Sequence, residues 1–435
     1  MTRFTANDLI AFIDGSPSPF HAIHEARSQL TEAGFTPYAE HDRWALSPGN
    51  AGYMVRGGKT IIAWRLGQRP PSEAGFRIIA AHSDSPVLKL RVNPARAARD
   101  TSLLSTEIYG SPLLHTWLDR DLKLCGRIYF KGDDGSPQFK LVDIEDAVMR
   151  VNSLAPHLRK VRAIESVTLD KHDDLHLVFG ADKEAIEKQL HDTLYGDAGI
   201  DPALALGYEL CLADTTPSQI TGKGGEFISA PRLDNLFSAY CGLTALIQAD
   251  GSQDHTQIAV IYDAEEIGSD TWTGAGSNIL DMLLSRLNAS FNGDAEDLAV
   301  AKARSLFVSA DMAHAEHPSH TDATDPDHVP SLNEGLAIKT SAKGNYAIGQ
   351  PATAWFDMVC RDAGLSLQRF MYRCDHGGGS SVGPIVSTSA GICGIDVGAP
   401  MLAMHSIREM AGAFDVDHVG RAFTAYFQSS VPFRG

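Results

Sequence analysis

Two kinds of hydrophobic pattern alternate along the chain. Residues 6–13 (ANDLIAFI) carry apolar side chains at helical spacing. The stretch SPSPFHAIHEARSQLTEAGF reads as a second helix, started near Ser18-Pro19 and stopped by Gly34. TIIAWRLG and FRIIAAHSD are instead continuous apolar, β-branched runs, the pattern of buried strands. Runs of that second kind return at 258–266 (IAVIYDAEE), 305–314 (SLFVSADMAH) and 391–400 (GICGIDVGAP). Helix-like stretches lie between them, at 235–249, 277–291 and 352–364. Apolar strands alternating with helices predict an α/β fold, with a mixed, mostly parallel sheet flanked by helices on both faces.

Residues 93–230 break this rhythm. STEIYG, CGRIYF, SVTLDKHDDLHLVFG and LGYELCLADT are shorter, alternating strands with few long helices. The expected organisation is an α/β domain in two parts, 1–92 and 231–435, with a β-rich domain, 93–230, inserted between them. A length of 435 residues is itself long for a single core.

Composition narrows the partners. A chain 43% hydrophobic and 21% charged has the make-up of a folded globule, not of a disordered segment. A net charge of −17 argues against nucleic acid or an anionic membrane as the main partner, while one local cationic pocket would still accept a small anion. The six cysteines, at 125, 211, 241, 360, 374 and 393, form no CxxC and read as reduced thiols of a cytoplasmic protein. Asp8 and Asp14 interrupt the N-terminal apolar run, which is no signal peptide, and no run of eighteen apolar residues predicts a membrane span.

The chemistry sits where the strands end. RIIAA runs into His82-Ser-Asp84, IAVIYDA into Glu265-Glu266, LFVSA into Asp311-Met-Ala-His314, and GIDVGAPMLAM into His405. Arg232-Leu-Asp234 precedes the helix at 235. Ligands of open α/β sheets bind at the carboxyl ends of strands, so five separate segments can bring two imidazoles and three carboxylates to one edge. That mixture suits two divalent cations, zinc among them. Any one of these residues has an ordinary explanation: Asp234 as a helix cap, Asp84 as a turn with Pro86, the acid pair as a solvated turn. The repetition across strands favours a site. The adjacent acids then divide the work, because neighbouring side chains point in different directions. Glu266 binds metal, and Glu265 faces the water that the metals polarise and takes its proton. Asp84, two residues after His82, fits as the carboxylate that orients the imidazole.

These residues carry a resemblance. AAHSDSPVLKL, YGSPLLHTWLDRDLKLCGR, APRLDNL, DAEEIGS, SADMAHAEHPSH, GLAIKTSAKGNYA and DVGAPMLAMHSIREM resemble the aspartyl aminopeptidase family of dinuclear zinc peptidases, over nearly the whole chain. The resemblance implies the zinc aminopeptidase fold, with the insert serving as a dimerisation domain. It implies one zinc on His82, Asp234 and Asp311 and a second on Asp234, Glu266 and His405, with Asp234 bridging, although other divalent metals could stand in. Glu265 is then the general base, and Asp84 orients His82. It further implies removal of an N-terminal Asp or Glu from peptides, and a large tetrahedral homo-oligomer built from dimers. His314, Lys339 and Tyr346 match the family's substrate-contacting positions, and His157 matches one lent across to a neighbouring subunit. Without the resemblance Lys339 is an exposed lysine, Tyr346 a core residue and His157 a surface histidine. YGSPLLHTWLDRD, Gly378 and TDATDPDHVP depart from the family pattern without removing a ligand.

Three rival readings differ in class. Gly379-Ser-Ser381-Val-Gly383 satisfies GxSxG, with Asp396 and His405 following as in serine hydrolases, but only fifteen residues separate Ser381 from Asp396 and no clear apolar strand precedes the glycines. A metal-bound scaffold without activity has no need of Glu265. A dinuclear zinc aminopeptidase or deacylase of neutral specificity keeps the same metal chemistry. GKGGEF lacks the ending of a phosphate loop and assigns no nucleotide site.

Overall fold

The computed structural model describes residues 4–158 and 168–434. Its central element is a nine-stranded sheet. Four neighbouring strands at its middle run parallel, in the order Thr256–Tyr262, Phe76–His82, Leu306–Ala310 and Cys393–Gly398. Antiparallel partners flank this block at Thr60–Arg65 and Ala337–Lys339. The mixed, mostly parallel sheet expected from the sequence is therefore present.

The period-two geometry of a strand sorts its residues onto two cores. Ile79, Ala81, Ala259 and Ile261 join the larger core, beneath helices Ala6–Asp14, Pro19–Glu32, Leu233–Gln248, Gln350–Asp362 and Asp415–Gln428. Phe76, Ile78, Ile258 and Val260 face the other way, against helices Ile279–Ala289 and Val382–Ala390. Burial on both faces explains why these strands read as unbroken apolar runs. Helices Ala295–Ala303, Val382–Ala390 and Asp415–Gln428 did not stand out in the sequence pattern. The first has almost no amphipathic contrast, and the second is short and opens with Gly383-Pro384, which read as a break.

Two further sheets surround the first. Six antiparallel strands between Val87 and Asp214 form their own sheet, and helix Ile186–Asp197 packs Leu190, Leu194 and Tyr195 into its core. Of the run SVTLDKHDDLHLVFG only His176–Gly180 is strand, and its first two residues lie outside the described ones. A five-stranded sheet joins Phe227–Ala230 to Glu409–Gly412 and reaches Ala313–His314 through Pro400–Leu402. Among the described residues no helix is long and apolar enough to cross a membrane.

At the end of the sheet away from the acids, buried His255 ties the last helix to the strands. Its Nε2 donates to Phe427 O at 2.8 Å, beside the Gln257 amide, which donates to the same oxygen. Burial and nearby Arg77 push the imidazole down from the ordinary 6.5 to about 4. Between those values the unfolded chain holds a proton that the folded chain does not, so this group's contribution falls as pH falls, by up to about 3 kcal/mol. Asp415, pushed up by burial to about 6, acts in the opposite sense. The contribution of His255 is isolated by His255→Gln, which keeps a donor for Phe427 O. Its urea-unfolding free energy should fall less than that of the wild type between pH 6.5 and 4, and parallel declines would overturn the assignment.

Candidate metal centre

The register of the parallel strands sets the site. Tyr262 pairs with His82, so the acids that follow Tyr262 lie beside the end of the neighbouring strand. Asp311 directly follows Leu306–Ala310, the strand on the other side of His82. Asp234 comes from the irregular first turn of helix Leu233–Gln248. That turn has no side-chain cap, so Asp234 is not a helix cap. His405 sits on a loop with φ +68°.

These segments converge. His82 Nε2 lies 3.4 Å from Asp234 Oδ1 and 3.7 Å from Asp311 Oδ1. His405 Nε2 lies 3.6 Å from Asp234 Oδ2 and 3.4 Å from Glu266 Oε2. Asp234 thus turns one oxygen toward each histidine. Ligand atoms of His82, Asp234 and Asp311, and those of Asp234, Glu266 and His405, all lie within 4.8 Å of one another inside each set. His82, Glu265 and Glu266 satisfy the same criterion, with Glu265 Oε2 3.9 Å from His82 Nε2.

Each imidazole is oriented by a carbonyl. His82 Nδ1 donates to the backbone oxygen of Asp84 at 2.9 Å, and His405 Nδ1 donates to Ser111 O at 3.1 Å. With Nδ1 so occupied, both rings turn Nε2 toward the acids. The carboxylate of Asp84 stands farther off, 3.5 Å from His82 Nδ1. It accepts the backbone N–H groups of Glu265 and Glu266, each at 3.1 Å, and the Tyr109 hydroxyl at 2.8 Å. Orientation of His82 thus falls first to the Asp84 backbone, and its side chain holds the acid pair in place. Neither Tyr109 nor Ser111 was singled out from the sequence. Both lie at or just beyond the end of strand Ser102–Tyr109, whose contact with the site is purely tertiary.

Burial and like charges shift these groups. Glu265 is pushed up to about 8 by burial and by Asp311, Asp234 and Asp84, with His82 opposing. Burial, and then Asp234, drives Glu266 well above its ordinary value. Burial disfavours the charged His82 ring, but Asp234, Asp311 and Asp84 outweigh it and hold its pKa well above normal. Asp234 moves the other way, since contacts with His405 and His82 overcome the cost of burial. Asp234 Oδ1 and Glu266 Oε1 are buried and accept no hydrogen bond. Orphaned carboxylate oxygens next to imidazole nitrogens fit cations that take mixed nitrogen and oxygen ligands, as zinc does.

A cavity of about 430 Å³ opens over the acids. Its lining also includes His314, Lys339, Tyr346 and Tyr372. Lys339 is buried, not surface-exposed, with Nζ 3.1 Å from Asp311 Oδ2 and 3.3 Å from Met312 O. His314 Nε2 lies 3.1 Å from the Tyr372 hydroxyl, and Tyr346 stacks on Tyr372. His157 is exposed on the turn Pro156–Leu158 and does not line this cavity.

Residues 12–427 match the family described as Aminopeptidase I zinc metalloprotease (M18). The chain belongs to the M18 family. It is a zinc aminopeptidase, a hydrolase. A probable M18 family aminopeptidase 2 of Pseudomonas aeruginosa is 38% identical over 426 residues, 97% of each chain. A chain from the cryo-EM structure of the Ape4 and Nbr1 complex superposes with a TM-score of 0.93 at 31% identity, over 97% of this chain and 85% of that one. The mApe1 dodecamer of S. cerevisiae gives 0.85 at 26% identity, over 97% and 96%.

The serine-hydrolase reading fails in this M18 chain. Ser381 caps helix Val382–Ala390, accepting from Gly383 N at 3.1 Å, and its hydroxyl donates directly to Asp396 Oδ1 at 2.5 Å. The arrangement puts the carboxylate where a triad needs an imidazole, so the GxSxG match is a helix-capping sequence.

A site so crowded with carboxylates should be stabilised by the metal it binds. Zinc at one hundred times its Kd should raise unfolding free energy by about 2.7 kcal/mol per independent site. Calorimetry should show the melting temperature fall with a chelator, recover with zinc, and lose its zinc dependence as pH drops and the ligands protonate. A melting temperature indifferent to zinc at neutral pH would refute the centre.

Proposed function

We propose that this chain removes an N-terminal Asp or Glu from peptides, using two zinc ions per subunit and Glu265 as general base. The observation carrying this reading is the pair of three-residue ligand sets that share Asp234, with Glu265 beside both. In this assignment His82, Asp234 and Asp311 hold one ion, and Asp234, Glu266 and His405 the other. Bound there, the ions supply a polarised water and a Lewis acid for the scissile carbonyl. Glu265 takes the proton from the water and returns it to the leaving amine. Its raised pKa comes first from burial and then from crowded, uncompensated carboxylates, and neighbouring cations would lower it into the range of a base at neutral pH. Asp84 keeps Glu265 and Glu266 in their different roles by gripping both backbone amides.

Preference for an acidic first residue is supported by Lys339. Its ammonium has three hydrogens and two acceptors, Asp311 Oδ2 and Met312 O. Asp311 shares its charge with a cation in this scheme, which leaves Lys339 a hydrogen and net charge for a substrate carboxylate. Tyr346 and His314 line the same wall and complete the acceptor pocket.

Assembly supports the last part of the reading. Val92, Phe139, Leu158 and Leu206 are more than half exposed, and all four lie within residues 93–230 or at their edge. Exposed apolar side chains of this kind are compatible with a subunit interface, although Trp272 and Phe414, outside these residues, are also more than half exposed. We assign this inserted β-rich unit to homo-oligomerisation, in dimers combined into a tetrahedral particle, with His157 offered to a neighbouring site. The yeast relative solved as a dodecamer is a precedent.

Glu265→Gln should keep full zinc content by metal analysis and lower kcat by about 10²–10⁴. Unchanged turnover would remove Glu265 from the mechanism. Lys339→Met keeps the volume and removes the charge. It should cut kcat/KM about 10- to 100-fold for Asp- and Glu-terminated dipeptides, while leaving a Leu-terminated one within about threefold. Equal losses on all three, or a wild type that prefers Leu, would point to the neutral-specificity alternative.

A further inference from the structure

Glu409 is an acid that the proposed chemistry does not use. It is 2% exposed, and among the described residues it forms no ion pair with any Lys, Arg or His. Burying an uncompensated carboxylate is costly unless its oxygens are satisfied. Here both are. Oε1 accepts from His405 N at 2.7 Å, and Oε2 accepts from Asp234 N at 3.0 Å.

These two amides belong to segments 171 residues apart, by subtraction of 234 from 405. Both segments leave regular structure immediately beside the site. Arg232 has φ +56°, Ala403 φ +55° and His405 φ +68°, a region that side chains disfavour. Such conformations persist only where surrounding contacts fix them. The strand that opens with Glu409 is itself fixed, because Glu409 pairs with Ala230, four residues before Asp234. One rigid strand therefore holds both irregular segments through a single side chain.

We propose that Glu409 is a positioning residue of the metal centre, setting the separation of Asp234 and His405 by clamping their two backbone amides. This rests on the reading of Asp234 and His405 as metal ligands. Only a carboxylate can clamp in this way, since it offers two acceptor oxygens and no hydrogen to oppose either N–H. A glutamine in its place points an NH₂ at one amide in either orientation. One clamp contact is then lost, and the ligand it held is free to drift.

The test compares wild type with Glu409→Gln, both as full chains. Zinc affinity is measured by competition with a chromogenic chelator, and the visible spectrum is recorded after cobalt substitution. The expected result is a loss of about 10- to 100-fold in zinc affinity and shifted cobalt bands. A merely structural role predicts a lower melting temperature of the metal-free chain, with affinity and bands of the folded fraction unchanged, and that result would overturn the proposal. If the Gln variant does not fold, Glu409→Asp replaces it. Its shorter arm cannot reach both amides, so the same losses are expected, and wild-type affinity and bands overturn the proposal equally. A wild type that binds no zinc sinks the ligand assignment itself, a distinct failure.

Discussion

Asp84, Asp234, Glu265, Glu266, Asp311 and Glu409 crowd the carboxyl edge of the parallel strands, and His82, His405 and Lys339 are the groups nearest to them that can carry positive charge. Six carboxylates in partly dry surroundings repel one another strongly. The arrangement is tolerable only where backbone N–H groups, imidazoles and cations absorb the charge. Each local peculiarity of the site answers that need. Asp84 takes two amides and a phenol, and Glu409 takes two amides. Lys339 is drawn wholly inside against Asp311. Asp234 and Glu266 still have orphaned oxygens, where an M18 zinc enzyme has use for them.

The parallel block makes this crowding possible. Strands of a parallel sheet end together, and their register fixes which ends are neighbours. His82 stands opposite Tyr262, and Asp311 follows a strand paired to the other side of Phe76–His82. Three segments far apart in sequence thereby deliver acids and a base within ångströms of each other. The remaining candidate ligands, Asp234 and His405, come from less regular chain, and Glu409 accepts from the backbone amides of both.

Legibility in the sequence follows the same division. Strand-borne groups could be read because a buried parallel strand is an unbroken apolar run, and a charge at its end stands out: His82, Glu265, Glu266 and Asp311 are such cases. Asp234 and His405 could be read only as members of a set, since nothing local separates them from a cap or a surface loop. Glu409 and Tyr109 were invisible. Each lies among ordinary strand residues, and its partners are distant in the chain, 25 residues away for Tyr109 and 175 for the Asp234 amide that Glu409 holds. The misleading signal at Ser381 arose from a helix cap, whose Gly-Ser spacing imitates a nucleophile turn while its partner carboxylate sits inside the hydrogen-bond radius. Sequence spacing sets Asp84 beside His82 but cannot separate a backbone carbonyl from the side chain of the same residue, and here the carbonyl makes the shorter contact.

The six-stranded sheet reaches the metal centre through its own chain. Tyr109 ends one of its strands and holds Asp84, and Ser111, two residues later, orients His405. One carbonyl from this sheet's chain thus meets His405 directly, and one phenol meets Asp84, the residue whose backbone oxygen orients His82. A shift of that sheet on oligomerisation would bear directly on the two imidazole-bearing halves of the site, without passing through the α/β core. Arg127 strengthens the attachment: held by Glu209 of its own sheet, it lies on Phe20 and donates to Gly57 O, so the sheet is fastened to the α/β part by a cation–aromatic contact and a hydrogen bond.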